Sequence, residues 1–128
     1  MERRIVPAVS PQAATVGYSR AVRDGRHVYV AGTAPIYPDG VETPDDPYEQ
    51  ARRCLEIVAG ALAEAGAAPE HVVRTRVYLT KAVDWEAVGR AHGELFGDVR
   101  PASAFLVVAA LLDPRWRVEI EVDALLPE

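Results

Sequence analysis

The chain has 128 residues, is 49% hydrophobic and 26% charged, and carries a formal net charge of −5. That length and balance suit one globular domain spanning residues 1–128, and an acidic chain with no basic run disfavours nucleic acid as a partner, since phosphate contacts supply most of that affinity. A single cysteine, Cys54, excludes an intrachain disulfide and suits a reducing, cytoplasmic location; MERRIVPAVSPQ lacks the apolar core of a signal peptide, and no apolar run approaches a membrane span.

Met1 to Thr15 carries Pro7 and Pro11 and no clear period, and reads as a tail lying on the surface. Gly17-Tyr18-Ser19 leads into a strand near Ser19–Arg23, and Asp24-Gly25 is a hairpin signal. His27–Thr33 alternates, with Val28, Val30 and Gly32 on one side and His27, Tyr29 and Ala31 on the other; a glycine inside a strand predicts a bulge or a close backbone approach. A proline-rich loop over 34–47 follows, of a length often found at functional sites.

Asp46 predicts a helix cap, with Pro47 at the first position. Ala51, Cys54, Leu55, Val58, Leu62 and Ala65 form one apolar stripe, and Gly66 stops the helix. Cys54 lies inside that stripe and reads as a small core residue. His71–Thr80 is a strand in which Val73, Thr75, Val77 and Leu79 alternate against Arg74, Arg76 and Tyr78. Asp84 predicts the cap of a second helix running to Phe96 and ended by Gly97. Trp85, Val88, His92, Leu95 and Phe96 make its stripe, so His92 reads as a satisfied, buried histidine before a catalytic one. Gly89 and Gly93, one turn apart, would let a neighbouring backbone approach.

After a turn at Arg100-Pro101, Ala104–Leu112 is apolar without a break and reads as a strand covered on both faces. Past Asp113-Pro114, Val118, Ile120, Val122 and Ala124 alternate with Glu119, Glu121 and Asp123. These two strands would form a hairpin. The order strand, strand, helix, strand, helix, strand, strand gives an α+β architecture, a mixed sheet with two helices on one face. A right-handed crossover would make strand 71–80 parallel to the strand before the first helix. Apolar residues on the second sheet face call for another copy of the chain to cover them.

No metal signature is present: His27, His71 and His92 are scattered and there is no second cysteine. There is also no phosphate loop and no dinucleotide fingerprint. The residues left to carry chemistry sit at strand ends and turns: Tyr18, Ser19, Thr33, Arg76, Arg100, Ser103 and Glu119. Each also fits a capped or paired polar residue at a sheet edge.

Taken in order, Gly17-Tyr18-Ser19-Arg20-Ala21, Val28-Tyr29-Val30-Ala31-Gly32-Thr33, Gln50, Val77-Tyr78-Leu79, Phe96, Pro101-Ala102 and Val118-Glu119-Ile120-Glu121 resemble the RidA family (YjgF/YER057c/UK114) from about Gly17 to Ala124. The resemblance implies a chorismate-mutase-like α+β fold and a homotrimer with a central barrel and clefts between subunits. It implies hydrolysis of reactive enamines and imines to 2-keto acids and ammonia, without a cofactor. Tyr18 matches the cleft tyrosine, Gly32 the glycine whose backbone lines the cleft, and Glu119 the glutamate that orients the attacking water. Ser103 stands where the family carries its substrate-clamping arginine, Ala31 and Thr33 replace the outer residues of Ser-Gly-Gln, and Gly89 and His92 replace the helix asparagine and tyrosine. A hydroxyl cannot copy the two parallel hydrogen bonds of a guanidinium, and Arg100 and Arg76 are equal candidates to stand in for it. Two other functions compete: a non-catalytic small-molecule-binding trimer, and the ribonuclease or translation-inhibitor role of some members, against which the acidic balance argues.

Overall fold

A computed structural model describes residues 3–128. Six strands form one mixed sheet: β1 (Arg3–Val6), β2 (Ala21–Asp24), β3 (His27–Thr33), β4 (Val72–Leu79), β5 (Ala102–Val107) and β6 (Val118–Leu125). Their spatial order is β1-β2-β3-β6-β4-β5. Every pairing is antiparallel except β4 with β5, which is parallel.

Two helices, α2 (Pro47–Glu64) and α3 (Trp85–Phe96), bury their apolar stripes against one face of the sheet; a shorter α1 (Ala13–Val16) lies between β1 and β2 in the chain and buries no residue. Asp46 caps α2 by accepting from the Glu49 N–H at 3.0 Å. Val58 and Leu62 are fully buried, each such side chain contributing roughly 1.5–3 kcal/mol. Gly66, with φ of 84°, takes the left-handed conformation that ends the helix. Cys54 is buried and unpaired, and burial pushes its thiol well above the usual range.

Several expectations change. The segment read as a surface tail from Met1 to Thr15 forms β1, paired with β2, and α1; Met1 and Glu2 lie outside the described residues. The expected hairpin of the last two strands does not form. β6 inserts between β3 and β4 instead, and β5 runs parallel to β4 at the sheet edge. The apolar run 104–112 mixes strand with loop, so its unbroken hydrophobicity does not mark a central strand: β5 is exposed along its whole length in this chain. Bulges shift two phases. Past Val30 the register of β3 slips, so Gly32 turns outward and Thr33 inward; before Arg74 that of β4 slips, so Val72 is buried and Val73 exposed.

Asp84 makes no capping bond. Its buried carboxylate takes two hydrogen bonds from Arg117, at 2.8 and 3.1 Å, which ties the start of α3 to the start of β6. Trp85 is exposed rather than part of the α3 stripe. Among the described residues, nothing beyond the helix's own backbone comes within 4 Å of a Cβ placed on Gly89 or Gly93. Gly97 is right-handed, and the left-handed residue after α3 is Arg100, with φ of 56°.

Candidate functional site

Glu119 is the second residue of β6, and the alternation that buries Val118 and Ile120 turns it to the face away from the helices. The β3 bulge sets Gly32 beside it: a Cβ on Gly32 would lie 3.0 Å from Glu119 Oε2, so the missing side chain leaves the carboxylate room against the backbone. Gly17, left-handed with φ of 83°, ends α1 and turns the chain toward β2. Tyr18 follows, its hydroxyl hydrogen-bonded to Ser10 Oγ.

Arg20 precedes β2. Ala21 is buried on the helix side, so the alternation points Arg20 and Val22 outward. Its Nη2 donates to the Gly32 carbonyl at 2.7 Å. Glu119 is half-buried, and the loss of hydration pushes its carboxyl above the usual carboxylate range; the Arg20 cation pulls it back and Glu121 pushes it up again. Burial lowers the Arg20 guanidinium, with Tyr18 and Glu119 opposing. A carboxylate so placed can take a proton from a water molecule at a higher pH midpoint than a solvated one.

A second cluster sits on the helix side of the β4–β5 edge. Thr75 and Ser103 face each other in register, and the Thr75 hydroxyl donates to Ser103 Oγ at 2.7 Å. His92 of α3 lies 2.8 Å from the same Thr75 oxygen through Nε2. A hydroxyl has one hydrogen, so with it spent on Ser103, Thr75 accepts from His92 Nε2–H. Phe96 and Phe105 flank the imidazole at 4.9 and 5.7 Å between ring centres. Burial lowers the His92 pKa, which favours the neutral ring.

Other predicted residues fall elsewhere. Thr33 is fully buried, faces the helices and donates to the Ala31 carbonyl at 2.7 Å. Arg76 is on the outer face but lies between Glu121 and Asp123, at 3.7 and 3.6 Å. Arg100 is exposed and reaches the Gly97 carbonyl at 3.4 Å. Arg20 was missed as a site residue, although the phase of β2 carries the signal: a buried Ala21 implies an outward Arg20. Among the described residues no group of three or more His, Cys, Asp or Glu is placed to hold a metal ion, and no helix is long and apolar enough to cross a membrane. A hollow of about 520 Å³ near Thr80, Lys81 and Trp116 includes none of the predicted site residues.

The family profile described as Endoribonuclease L-PSP matches residues 8–126. The chain is 44% identical to an uncharacterized protein of Streptomyces coelicolor, over 94% of this chain and 90% of that one. It is 34% identical to the mouse protein named 2-iminobutanoate/2-iminopropanoate deaminase, over 95% and 90%. The crystal structure of Rv2704 from Mycobacterium tuberculosis, described as a member of the YjgF/YER057c/UK114 family, superposes with a TM-score of 0.89 at 42% identity, covering 98% of this chain and 100% of that one. The chain belongs to the RidA family. Its mixed sheet backed by helices is the fold of its RidA neighbours. In this RidA-family chain Ser103, directly after Pro101-Ala102, accepts the last bond of a hydroxyl–imidazole chain.

Proposed function

We propose that the protein is an oligomeric hydrolase of small enamines and imines, yielding a keto compound and ammonia. The observation that carries this reading is the half-buried Glu119 carboxylate resting on the bulge at Gly32, with Arg20 near enough to act on its charge. The substrate reacts as its protonated C=N (iminium) tautomer: Glu119 takes a proton from water while the water oxygen bonds to the C=N carbon and the π electrons move to nitrogen. The resulting carbinolamine loses its C–N bond: Glu119 returns its proton to nitrogen, the hydroxyl proton is released as C=O forms, and ammonia leaves. The mouse deaminase, named for such a reaction, is the relative that motivates the substrate class.

The assembly is part of the proposal. Glu119 and Ser103 lie on opposite faces, two strand positions and three residues apart, roughly 14 Å at ordinary strand spacings. One cleft containing both therefore needs two copies. β5, with Phe105, Leu106 and Val107 exposed, offers the edge for them, and a homotrimer is the expected closure. A reduced Cys54 suits the cytoplasm as the place of action.

The second reading, a non-catalytic binding trimer, is favoured by one feature: Ser103 accepts from Thr75 and has a single hydroxyl donor to offer a substrate carboxylate, where a guanidinium would offer two parallel ones. Ammonia release from 2-aminoacrylate generated in situ, with Glu119→Ala as control, separates the two. Release above background in the wild type that is lost in the variant supports the hydrolase; background release for every enamine tried leaves the binding module. Sedimentation of the wild type tests the three-chain mass.

A further inference from the structure

Five arginines are partly buried: Arg20, Arg23, Arg53, Arg76 and Arg117. Four of them are well partnered. Arg23 bonds the carbonyls of Gly25 and Ala65. Arg53 bonds the Ile36 carbonyl and pairs with Glu56. Arg76 pairs with Glu121 and Asp123, and Arg117 with Asp84 and Asp45. Arg20 differs. Among the described residues its guanidinium makes one hydrogen bond, to the Gly32 carbonyl, and no ion pair, and its Nε is buried without an acceptor. Buried polar groups are nearly always satisfied, and an exception calls for an explanation.

We propose that Arg20 is the anion clamp of this site and that its ligand is a small monocarboxylate held beside Glu119; the inference rests on the imine-hydrolase reading and narrows it to 2-imino or enamine acids. A guanidinium has five N–H donors in a fixed fork, so two carboxylate oxygens can engage two of the free ones at once. A monoanion fits better than a phosphate dianion, because Glu119 and Glu121 stand nearby and the chain carries a net charge of −5. In a 2-imino acid the C=N carbon is bonded directly to the carboxylate, so a carboxylate on Arg20 holds that carbon next to a water over Glu119. The two arginines considered from the sequence are less suited: Arg76 is already taken by two carboxylates, and Arg100 is exposed and lies beyond the far edge from Glu119.

The test measures binding without turnover, using 2-oxobutanoate and its uncharged amide as probes, on wild type, Arg20→Gln, Arg20→Lys and Glu119→Gln. The expected result is at least tenfold weaker binding of 2-oxobutanoate to Arg20→Gln, partial retention in Arg20→Lys, and unchanged binding of the amide. Equal weakening for both probes would mean that Arg20 only braces Gly32, and unchanged 2-oxobutanoate binding, or none in the wild type, would overturn the clamp outright. If Arg20→Gln fails to fold, the Arg20 Nε–H resonance of the wild type decides: it shifts on adding 2-oxobutanoate and not the amide, and a signal that ignores the carboxylate refutes the proposal. Arg20-dependent carboxylate binding in a wild type that releases no ammonia from any imine would sink the hydrolase reading while leaving the clamp in place.

Discussion

The outer-face cluster and the edge cluster are built from similar materials, a few polar side chains at strand positions, yet they differ in how far they satisfy themselves. At the edge, His92, Thr75 and Ser103 pass one line of hydrogen bonds along, uncharged, between two aromatic rings. On the outer face, Glu119 and Arg20 are charged and half-buried, close enough to shift one another and yet unpaired. A closed network lowers the cost of burial and adds stability. An open pair of charges keeps interaction energy in reserve for a ligand. The comparison assigns chemistry to the first site and architecture to the second, although both hold residues that sequence reasoning had put in one list.

The sharpest way to break that assignment is Glu119→Gln. Ammonia release should fall on the order of 10²- to 10⁴-fold, the usual contribution of a general base, while binding of 2-oxobutanoate persists. Stability should move the other way. The folded-state pKa of Glu119 is raised, chiefly by burial, so the folded state holds that proton more tightly than the unfolded chain. Its stabilising contribution is complete below the ordinary carboxylate pKa and is lost as pH rises through the raised value. The variant should therefore melt higher than wild type at neutral pH, with the advantage gone in acid. Melting curves at both ends of that range check it, and a lower melting point at neutral pH contradicts it.

Gly32→Ala probes the same site more gently. The new methyl would meet Glu119 Oε2 at 3.0 Å, so the carboxylate must give way by a few tenths of an ångström. The residue is exposed and its φ is not positive, so backbone strain is absent. Turnover should drop about 10- to 100-fold through misplacement, with a nearly unchanged melting point. A large loss of stability with intact turnover would reverse the roles given to the two clusters.

Thr75→Val breaks the other side of the comparison. Thr75 is fully buried, and removing its hydroxyl strands His92 Nε2–H, at about 1–3 kcal/mol for a group left unsatisfied away from water, while the exposed Ser103 hydroxyl turns to solvent. Denaturant unfolding should record that loss, while 2-oxobutanoate affinity per folded molecule stays as in wild type. Binding that weakens along with stability would join the edge cluster to the ligand site.

How much of this was legible in the sequence depended on whether the signal was local. The α2 cap at Asp46, its stripe and the left-handed Gly66 were read correctly because each rests on neighbours within a turn or two. The alternation of β6 was equally plain and turned Glu119 to the right face. Pairing was not legible: β6 joins β3 and β4 through long connections, and a hairpin looked cheaper than an inserted strand. Bulges hid the inward turn of Thr33 and the exposure of Val73, since a period-two count cannot register one extra residue. In the site, the close approach at Gly32 was foreseen, but not its outward turn. The isolation of Arg20 was not, because a missing partner shows only once all the others have been placed.

The smallest expected effect concerns the protonation of His92. Burial lowers its folded-state pKa, so at mildly acidic pH the unfolded chain takes up a proton that the folded protein refuses. The neutral ring's contribution is complete above the ordinary imidazole value of about 6.5 and is lost as pH falls below it toward the lowered one. The groups around the ring, Thr75, Phe96 and Phe105, carry no charge that would repay protonation. His92→Gln keeps an N–H donor for Thr75 and removes the titration. The difference in unfolding free energy between wild type and this variant should therefore be flat above neutrality and should shift against the wild type below it. A difference flat across the whole range would mean that the imidazole is solvated in the folded protein, and the edge cluster would then be as open as the one around Glu119.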